Sequence, residues 1–222
     1  MAEYKIAETF VSINGEGKLA GQLAVFIRFA GCNLSCTYCD TAWVNQDQFK
    51  SRTMSEYEIY QYIKKTGIKN VTLTGGEPMI QPEIGTLLSL LTKDIDLNVE
   101  VETNGSVDLS QFQCVKNPPS FTMDYKLPGS GMESKMQVTN FSCLTSKDMV
   151  KFVVGSIKDL DRANEMITYY NLTQRCHVSI SSVFGQMELP MVVEYMKRHQ
   201  MNGVNFQLQL HKYIWEPDTR GV

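Results

Sequence analysis

Three closely spaced cysteines are the residues of this chain most able to do chemistry. They are Cys32, Cys36 and Cys39, in the pattern C-x₃-C-x₂-C. Three thiolates can bind three irons of a 4Fe–4S cluster and leave the fourth iron open. An open iron can bind a small molecule, whereas a fully ligated cluster only passes electrons. The spacing therefore predicts a cluster that takes part in a reaction.

Other roles for cysteine remain open at this point. The same three thiols could bind structural zinc with a fourth ligand from one of the three histidines, His177, His199 or His211. A disulfide framework is disfavoured, because a chain of 222 residues is long enough to fold without cross-links. The other cysteines, Cys114, Cys143 and Cys176, are scattered singly, and we predict that they are small buried side chains.

A second motif, Gly75-Gly76-Glu77-Pro78, follows a predicted strand one βα unit after the cysteines. Alone, it is typical of an ordinary βα turn. Together with the cysteines it resembles the radical S-adenosylmethionine (SAM) superfamily. The resemblance implies that the open iron chelates the methionine amino and carboxylate groups of SAM, and that reduction yields a 5′-deoxyadenosyl radical. The combination disfavours zinc.

The elements that position these motifs alternate between strand and helix. We predict strands at residues 24–29, 71–74, 97–102, 121–124, 149–154, 177–181 and 204–210. We predict helices from a capping box at residues 55–58 to Gly67, from the second motif to about residue 92, at 159–170 and at 188–199. This order predicts an α/β fold, a partial (open) TIM-like barrel of about six parallel strands with a reduced set of helices, whose strand ends build the site. Without repeats or linkers, residues 1–222 are predicted to be a single radical SAM domain.

Composition favours a cytoplasmic enzyme. Hydrophobic residues make up 43% of the chain and charged residues 20%, with a formal net charge of −3. That charge and the lack of a basic cluster disfavour a nucleic-acid partner. The N-terminus has no apolar signal segment, and no run approaches the roughly 18 apolar residues of a membrane helix. Thiols that serve as cluster ligands need a reducing compartment, so we expect a cytoplasmic location and no membrane partner.

Further segments narrow the resemblance to one family, the 7-carboxy-7-deazaguanine synthases. They are residues 10–17, Phe26-Ile27-Arg28, Gly31-Cys32-Asn33-Leu34, Cys39-Asp40-Thr41, Val101-Glu102-Thr103-Asn104-Gly105, and the end of the chain from Gln209 to Val222. The resemblance implies a ring-contracting lyase of queuosine and 7-deazapurine biosynthesis. Such enzymes convert 6-carboxy-5,6,7,8-tetrahydropterin to 7-carboxy-7-deazaguanine with loss of ammonia, after hydrogen removal from C6, and regenerate SAM. It also implies Mg²⁺, a homodimer and an electron donor such as flavodoxin or ferredoxin.

The resemblance also assigns candidate site residues. The residues implied to bind SAM are Tyr38, Asp40, Gly76, Glu77, Asn104, Asp124, Lys126 and Ser181. The residues implied to bind the pterin are Ile13, Asn14, Gly15, Glu16, Arg28, Thr74, His211 and Val222. Thr41 is implied to bind Mg²⁺. Tyr38 could equally shield the cluster, Asp40 could hold the Mg²⁺ water shell or cap the next loop, and the polar residues at later strand ends could cap helices.

The chemistry of two pterin-site residues fits these roles. Glu16 can accept hydrogen bonds from the guanidine-like edge of a pterin. Arg28 offers a planar fork for the substrate carboxylate, and an arginine between Ile27 and Phe29 that points inward needs a partner. The segment from Trp215 to Val222 is predicted to fold back over the pocket.

Two departures from the family pattern affect the predicted contacts of site residues. Asn14 stands where many members have glutamine, and Met123-Asp124-Tyr125-Lys126 departs from the Ser-Pro-Lys of many members. A glycyl-radical-enzyme activase would share the cysteines and the glycine turn, but it would not need Glu16 and Arg28. The more distant alternative is a non-enzymatic iron–sulfur or zinc module.

Overall fold

The computed structural model describes residues 2–46, 49–112 and 117–222. These residues form nine strands: β1 (Glu3–Ile13), β2 (Leu23–Phe29), β3 (Arg52–Ser55), β4 (Asn70–Gly75), β5 (Asn98–Thr103), β6 (Ser120–Asp124), β7 (Met149–Val154), β8 (His177–Ser182) and β9 (Val204–Phe206). They also form five α-helices: α1 (Glu56–Thr66), α2 (Ile84–Lys93), α3 (Ile157–Tyr169), α4 (Leu189–Arg198) and α5 (His211–Ile214).

All nine strands belong to one open sheet, in the order β3-β1-β2-β4-β5-β6-β7-β8-β9. The seven strands from β2 to β9 in this order run parallel. At one edge β1 pairs antiparallel with both β2 and β3. The predicted α/β class with an open, mostly parallel sheet is confirmed. The parallel strands number seven rather than about six, and the antiparallel edge was not predicted.

Helix α1 illustrates why local prediction succeeded. The Ser55 hydroxyl accepts a hydrogen bond from the Glu58 backbone N–H at 3.3 Å, and the Glu58 carboxylate accepts from the Ser55 N–H at 2.8 Å. Gly67 ends the helix in the left-handed region, with φ of 72°. Ile59 and Ile63, four residues apart, are fully buried against the sheet. The predicted capping box and helix end are confirmed.

Two element boundaries differ from the prediction. The chain after the glycine turn first forms a 3₁₀ turn, Pro78–Ile80, and α2 begins only at Ile84 because Glu83 adopts a left-handed φ of 56°. Strand β9 ends at Phe206 instead of residue 210. The chain then leaves the sheet and forms α5, which the sequence analysis did not predict.

The sheet has one apolar and one polar face. On β4 to β8, Leu73, Val101, Met123, Phe152 and Ile180 belong to the core packed against the helices. The alternate positions point the other way and carry polar groups: Thr72, Thr74, Glu100, Glu102, Thr122, Asp124, Lys151, Ser179 and Ser181. This second face lines the interior of the open barrel.

Two further expectations concern cysteines and membrane helices. Cys176 is buried, as predicted, and Cys143 is partly buried. Cys114 lies outside the described residues. Within the described ranges, the helices are all too short or too polar to cross a membrane.

Candidate active site

The polar face of the sheet borders a cavity of about 490 Å³ at the carboxyl ends of the parallel strands. The loop after β2, the ends of β4, β5 and β6, strand β7 and the C-terminal tail all line this cavity. Its volume lies in the range of small-molecule sites, about 300–1,000 Å³. The cavity is therefore the place where the predicted site residues can meet.

The three cysteines lie at one side of the cavity, on a loop that the following chain holds in place. Thr37 in this loop donates from its N–H to the Ser130 carbonyl at 3.1 Å and from its hydroxyl to the Gly129 carbonyl at 2.7 Å. Burial raises the pKa of both Cys32 and Cys36, and the carboxylates of Glu77 near Cys32 and of Asp124 near Cys36 raise it further. Cys32 and Cys36 are partly buried, and Cys39 is exposed. A cationic iron cluster would compensate the charge of these side chains as thiolates.

These cysteines do not converge on one point. Among the described residues, no three His, Cys, Asp or Glu side chains come close enough to share a single metal ion. A cluster does not need such convergence, because each thiolate binds its own iron.

Asn104, which follows β5, braces the cysteine loop. Its side-chain amide donates to the Cys32 sulfur at 3.6 Å and to the Asn33 side-chain oxygen at 3.1 Å. The Asn104 side chain also lines the cavity. It can therefore hold the loop and still meet a ligand.

The glycine turn packs directly on the start of the cysteine loop. Gly76 donates from its N–H to the Phe29 carbonyl at 3.0 Å, and Glu77 donates to the Gly31 carbonyl at 2.9 Å. A Cβ at Gly75 would collide with the backbone of Phe29, and one at Gly76 with the carbonyl of Gly31. Glycine is required at both positions because two backbones meet there.

Glu77 points away from the cavity. Its side chain is fully buried and accepts hydrogen bonds from the Met79 N–H at 2.9 Å, the Thr103 hydroxyl at 2.7 Å and the Asn104 N–H at 2.6 Å. Burial raises the pKa of Glu77, although these hydrogen bonds oppose the effect. The carboxylate joins the ends of β4 and β5.

Asp124, at the end of β6, presents an unused acceptor. Its Oδ2 accepts from the Lys126 ammonium at 2.9 Å. Its Oδ1 is buried without a hydrogen-bond partner among the described residues, although Asp124 lines the cavity. Tyr38 lines the same part of the cavity, with its hydroxyl 3.4 Å from the Val153 carbonyl. An orphaned carboxylate oxygen beside an aromatic ring fits a nucleoside with ribose hydroxyls to donate.

Glu16, in the cavity wall, accepts hydrogen bonds from three side chains. Its Oε1 accepts from the Ser181 hydroxyl, and its Oε2 accepts from Lys151 at 3.1 Å and from Gln209 at 3.3 Å. Burial alone would raise the pKa of Glu16, but the Lys151 ammonium and these hydrogen bonds outweigh it, and the pKa is lowered. Glu16 is therefore ionised at neutral pH.

Lys151 and Gln209 were not among the predicted site residues. A signal was present, because Lys151 interrupts the apolar strand Met149–Val154 and a charge there needs a partner. Ser181, by contrast, was expected to contact SAM. It is fully buried and donates to Glu16.

Arg28 lies on β2 at a wall of the cavity. Its Nε donates to the Glu8 carboxylate on β1 at 3.2 Å, and its guanidinium lies 5.8 Å from the centre of the Phe10 ring. Phe10 stacks on Phe26 with ring centres 4.8 Å apart. Thr74 is the register partner of Arg28 on β4 and lines the same wall. Glu8 was not predicted as part of the site.

The loop after β1 brings three predicted residues to different places. Ile13 and Gly15 line the cavity, whereas Asn14 is buried beneath it and accepts a hydrogen bond from the Thr72 hydroxyl at 2.8 Å. The imidazole of His211 lies against Gly15, and burial lowers the pKa of His211.

The outer wall of the cavity comes from the segment after the cysteines and from the tail. Thr41 has its hydroxyl 3.6 Å from the Cys39 sulfur, and Lys212 pairs with Asp40 at 3.2 Å. The Arg220 guanidinium lies 4.1 Å from the centre of the Trp43 ring. The tail from Pro217 to Val222 lines the cavity.

Comparison with known proteins identifies the family. Over 219 residues the chain is 56% identical to a 7-carboxy-7-deazaguanine synthase from Clostridium acetobutylicum. The match covers 99% of this chain and 99% of the relative. It is 35% identical to the enzyme of that name from Chlorobaculum tepidum, over 100% of this chain and 98% of the relative. This chain belongs to the 7-carboxy-7-deazaguanine synthase family.

The superfamily and the fold agree with that membership. Residues 26–115 match the model of the radical SAM superfamily. The crystal structure of QueE from Escherichia coli superposes with a TM-score of 0.73, at 20% identity, over 93% of both chains, and supports the fold. Membership of the radical SAM superfamily implies a 4Fe–4S cluster and SAM. The zinc interpretation and the non-enzymatic module are therefore wrong.

In this 7-carboxy-7-deazaguanine synthase family member, most predicted site residues meet at one cavity. Those that line it are Ile13, Gly15, Glu16, Arg28, Cys32, Cys36, Tyr38, Cys39, Asp40, Thr41, Thr74, Gly76, Asn104, Asp124, Lys126, His211 and Val222. Glu77, Asn14 and Ser181 lie behind its wall, where each bonds to protein groups.

Proposed function

We propose that this protein converts 6-carboxy-5,6,7,8-tetrahydropterin to 7-carboxy-7-deazaguanine, with loss of ammonia. The observation that carries the proposal is one cavity in which an ionised carboxylate, Glu16, and a guanidinium, Arg28, border the same space as the cysteine loop. The substrate has a guanidine-like edge that donates hydrogen bonds and a carboxylate that accepts them. The two side chains are complementary to these two groups.

Cys32, Cys36 and Cys39 would hold the cluster, which together with SAM would supply the radical chemistry for hydrogen removal from C6 of the pterin. The protein's contribution is to hold the substrate so that C6 faces the cofactor. Glu16 accepts hydrogen bonds from the guanidine-like edge of the pterin. The terminal nitrogens of Arg28 donate to the substrate carboxylate, while the Arg28 Nε donates to Glu8. His211, Thr74 and the carbonyls near Ile13 and Gly15 complete the pterin contacts.

The SAM contacts are proposed for the other side of the cavity. Asp124 receives ribose hydroxyls on its free Oδ1, and Lys126 fixes the orientation of that carboxylate. Tyr38 packs on the adenine, and the backbone of the Gly76 turn meets the methionine group. For Glu77 we propose an indirect role, because its carboxylate accepts hydrogen bonds from the backbone of Met79 and Asn104 and so stabilises the glycine turn and Asn104.

Mg²⁺, the partners and the cellular location are parts of the same proposal. Thr41 lines the cavity and offers the hydroxyl oxygen that Mg²⁺ prefers, with water and substrate oxygens as the other ligands. Asp40 lies next to it and can hold that water shell. We further propose a homodimer, reduction by a flavodoxin or ferredoxin, a cytoplasmic location and a single domain.

An anaerobic assay tests the reaction. Reconstituted protein with reductant, SAM, Mg²⁺ and 6-carboxytetrahydropterin is expected to form 7-carboxy-7-deazaguanine, detected by mass spectrometry. The matched control is Cys36→Ala, which should form none. Omission of Mg²⁺, or Thr41→Val, should slow turnover. Release of 5′-deoxyadenosine without the deazaguanine would retain the radical chemistry and refute the pterin substrate.

A further inference from the structure

We propose that Lys151 is a positioning residue that keeps Glu16 ionised and correctly oriented, and so makes the pocket selective for a substrate edge composed of hydrogen-bond donors. The inference rests on the proposed function and adds a residue that the sequence motifs did not indicate. Lys151 acts through Glu16 and needs no contact with the substrate.

The geometry places the Lys151 ammonium between the two halves of the site. Its Nζ lies 3.1 Å from Glu16 Oε2 and 3.7 Å from Asp124 Oδ2. The Lys151 and Glu16 side chains are 13% and 7% exposed, so water screens this pair little. Val150 and Phe152, the neighbours of Lys151 on β7, are fully buried on the opposite face and fix the direction of the lysine.

The two carboxylates depend on Lys151 to different degrees. Asp124 has a second and closer cation, Lys126, at 2.9 Å. Within the described part of the chain, Lys151 is the one lysine or arginine within ion-pair distance of Glu16. Loss of the Lys151 charge would therefore leave Asp124 paired and Glu16 unpaired.

The other groups that face Glu16 cannot replace this charge. Ser181 on β8 and Gln209 after β9 donate neutral hydrogen bonds. His211 is close enough to interact electrostatically, but burial lowers its pKa and favours the neutral imidazole. Around Lys151 itself, Asp124 and Glu102 also favour the charged ammonium. Without Lys151, only the neutral donors Ser181 and Gln209 would oppose the effect of burial, which raises the pKa of Glu16. The Glu16 carboxylate would then take up a proton.

The protonation state of Glu16 decides what it can bind. An ionised carboxylate accepts hydrogen bonds on both oxygens, whereas a protonated one presents a donor on one oxygen. A guanidine-like edge offers only donors, so one of its N–H groups would then face an O–H group and lose its partner. The charge on Lys151 is therefore a determinant of pterin recognition.

The experiment compares Lys151→Met with Lys126→Met, which removes a neighbouring cation that contacts Asp124 but not Glu16. Binding of the pterin to the reconstituted, SAM-loaded protein is measured from pH 6 to 9. Relative to wild type, Lys151→Met is expected to weaken binding about tenfold or more at pH 7 and to regain affinity as the pH rises and Glu16 ionises. Lys126→Met should weaken SAM binding and leave the shape of the pterin profile like that of wild type.

A double-mutant cycle tests whether the effect passes through Glu16. In a Glu16→Gln background, Lys151→Met should change pterin affinity less than about threefold, because no charge remains to be held. An equal loss in both backgrounds, or unchanged affinity in Lys151→Met, would overturn the proposal. Lys151→Arg retains the charge, so its pterin affinity should depend on pH as in wild type. A pH dependence like that of Lys151→Met would also contradict the proposal.

A spectroscopic readout separates this inference from the proposed function. Infrared spectra of Lys151→Met without substrate should contain, beside the band of Glu100, which also lies near Lys151, a second protonated-carboxyl band at pH 7. This second band should be absent from wild type and should disappear when Glu16→Gln is added. Its absence would refute the role of Lys151 whatever the substrate is. If the band appears but wild type does not bind the pterin, the proposed substrate is wrong and the control of Glu16 by Lys151 stands.

Discussion

The imidazole of His211 occupies the space that a side chain at Gly15 would need. The backbone reinforces this contact, because Leu210 donates from its N–H to the Gly15 carbonyl at 3.0 Å. The loop after β1 and the segment after β9 are thus joined next to Glu16. A glycine at position 15 is required for the close approach of a distant part of the chain, and not by its own backbone angles.

Gly15→Ala is expected to displace His211 and to lower pterin turnover by about tenfold or more, since a misplacement near 1 Å at a site is costly. SAM cleavage without substrate should be unchanged, because the cysteine loop is not touched. Turnover and 5′-deoxyadenosine release are measured in parallel. Gly85→Ala is the matched control, as its Cβ would meet only an ordinary contact with Phe112 at 3.9 Å. Equal turnover in both variants would contradict the steric argument.

Arg28→Ala should lower kcat/KM for the pterin by about two orders of magnitude, because it leaves the substrate carboxylate and Glu8 without their cation. Glu8→Gln should lower kcat/KM by a smaller factor, because the Arg28 guanidinium remains but loses its ion pair with Glu8. Slow SAM cleavage without the pterin should persist in both variants. This combination would exclude a glycyl-radical-enzyme activase, which has no use for a small-molecule carboxylate clamp. Full pterin turnover in Arg28→Ala would refute the clamp.

The C-terminal tail is expected to need Arg220 to stay on the cavity. Its guanidinium packs on Trp43, and a cation–π contact of this kind contributes about 0.5–1 kcal/mol at an exposed site. Arg220→Leu should therefore raise KM for the pterin severalfold, and removal of the last residues through Val222 should abolish turnover with the cluster spectrum intact. Arg198→Leu, at an exposed position in α4, serves as the control. Unchanged turnover of the truncated protein would show that the tail has no role.

Glu100 should make the stability of the protein depend on pH. Burial, together with the nearby Glu102, raises the pKa of Glu100 to about 7 from its ordinary value of 4.5. Between these values the folded state binds more protons than the unfolded state, so the free energy of unfolding falls as the pH rises from 4.5 to 7. The shift corresponds to a loss of about 3 kcal/mol.

Urea unfolding of wild type and Glu100→Gln between pH 5 and 8 checks this expectation. In Glu100→Gln, the free energy of unfolding should lack the decline that ionisation of Glu100 causes. The variant should therefore become more stable relative to wild type as the pH rises. Glu3→Gln, at an exposed position of β1, should follow wild type. Parallel curves for wild type and Glu100→Gln would show that Glu100 titrates normally.

Features encoded by local spacing could be predicted from the sequence. The capping box at Ser55, the helix end at Gly67 and the general alternation of strand and helix depend on interactions within a few residues, and these were found as predicted. The start of α2 and the end of β9 were not. The antiparallel edge was not predicted because the direction in which β1 pairs with β2 and with β3 depends on tertiary contacts, and β3 itself has only four residues with little apolar content. The same holds for α5, a single turn that follows the close packing of His211 on Gly15.

The direction of individual side chains could not be predicted in the same way. Motif position assigned Glu77, Ser181 and Asn14 to ligands, yet each lies behind the wall and bonds to Asn104, Glu16 or Thr72. A one-residue change of position along a strand turns a side chain to the opposite face, and loops leave even more freedom.

The sequence by itself determined the cysteine spacing, the order of elements and the family to which the chain belongs, because these follow from local patterns and from long stretches of similarity. Only the tertiary structure decided that Lys151 and Glu16, 135 positions apart, form an ion pair in the cavity. The partner of a buried charge is set by how strands are arranged in the sheet, and the sequence around either residue does not contain that information.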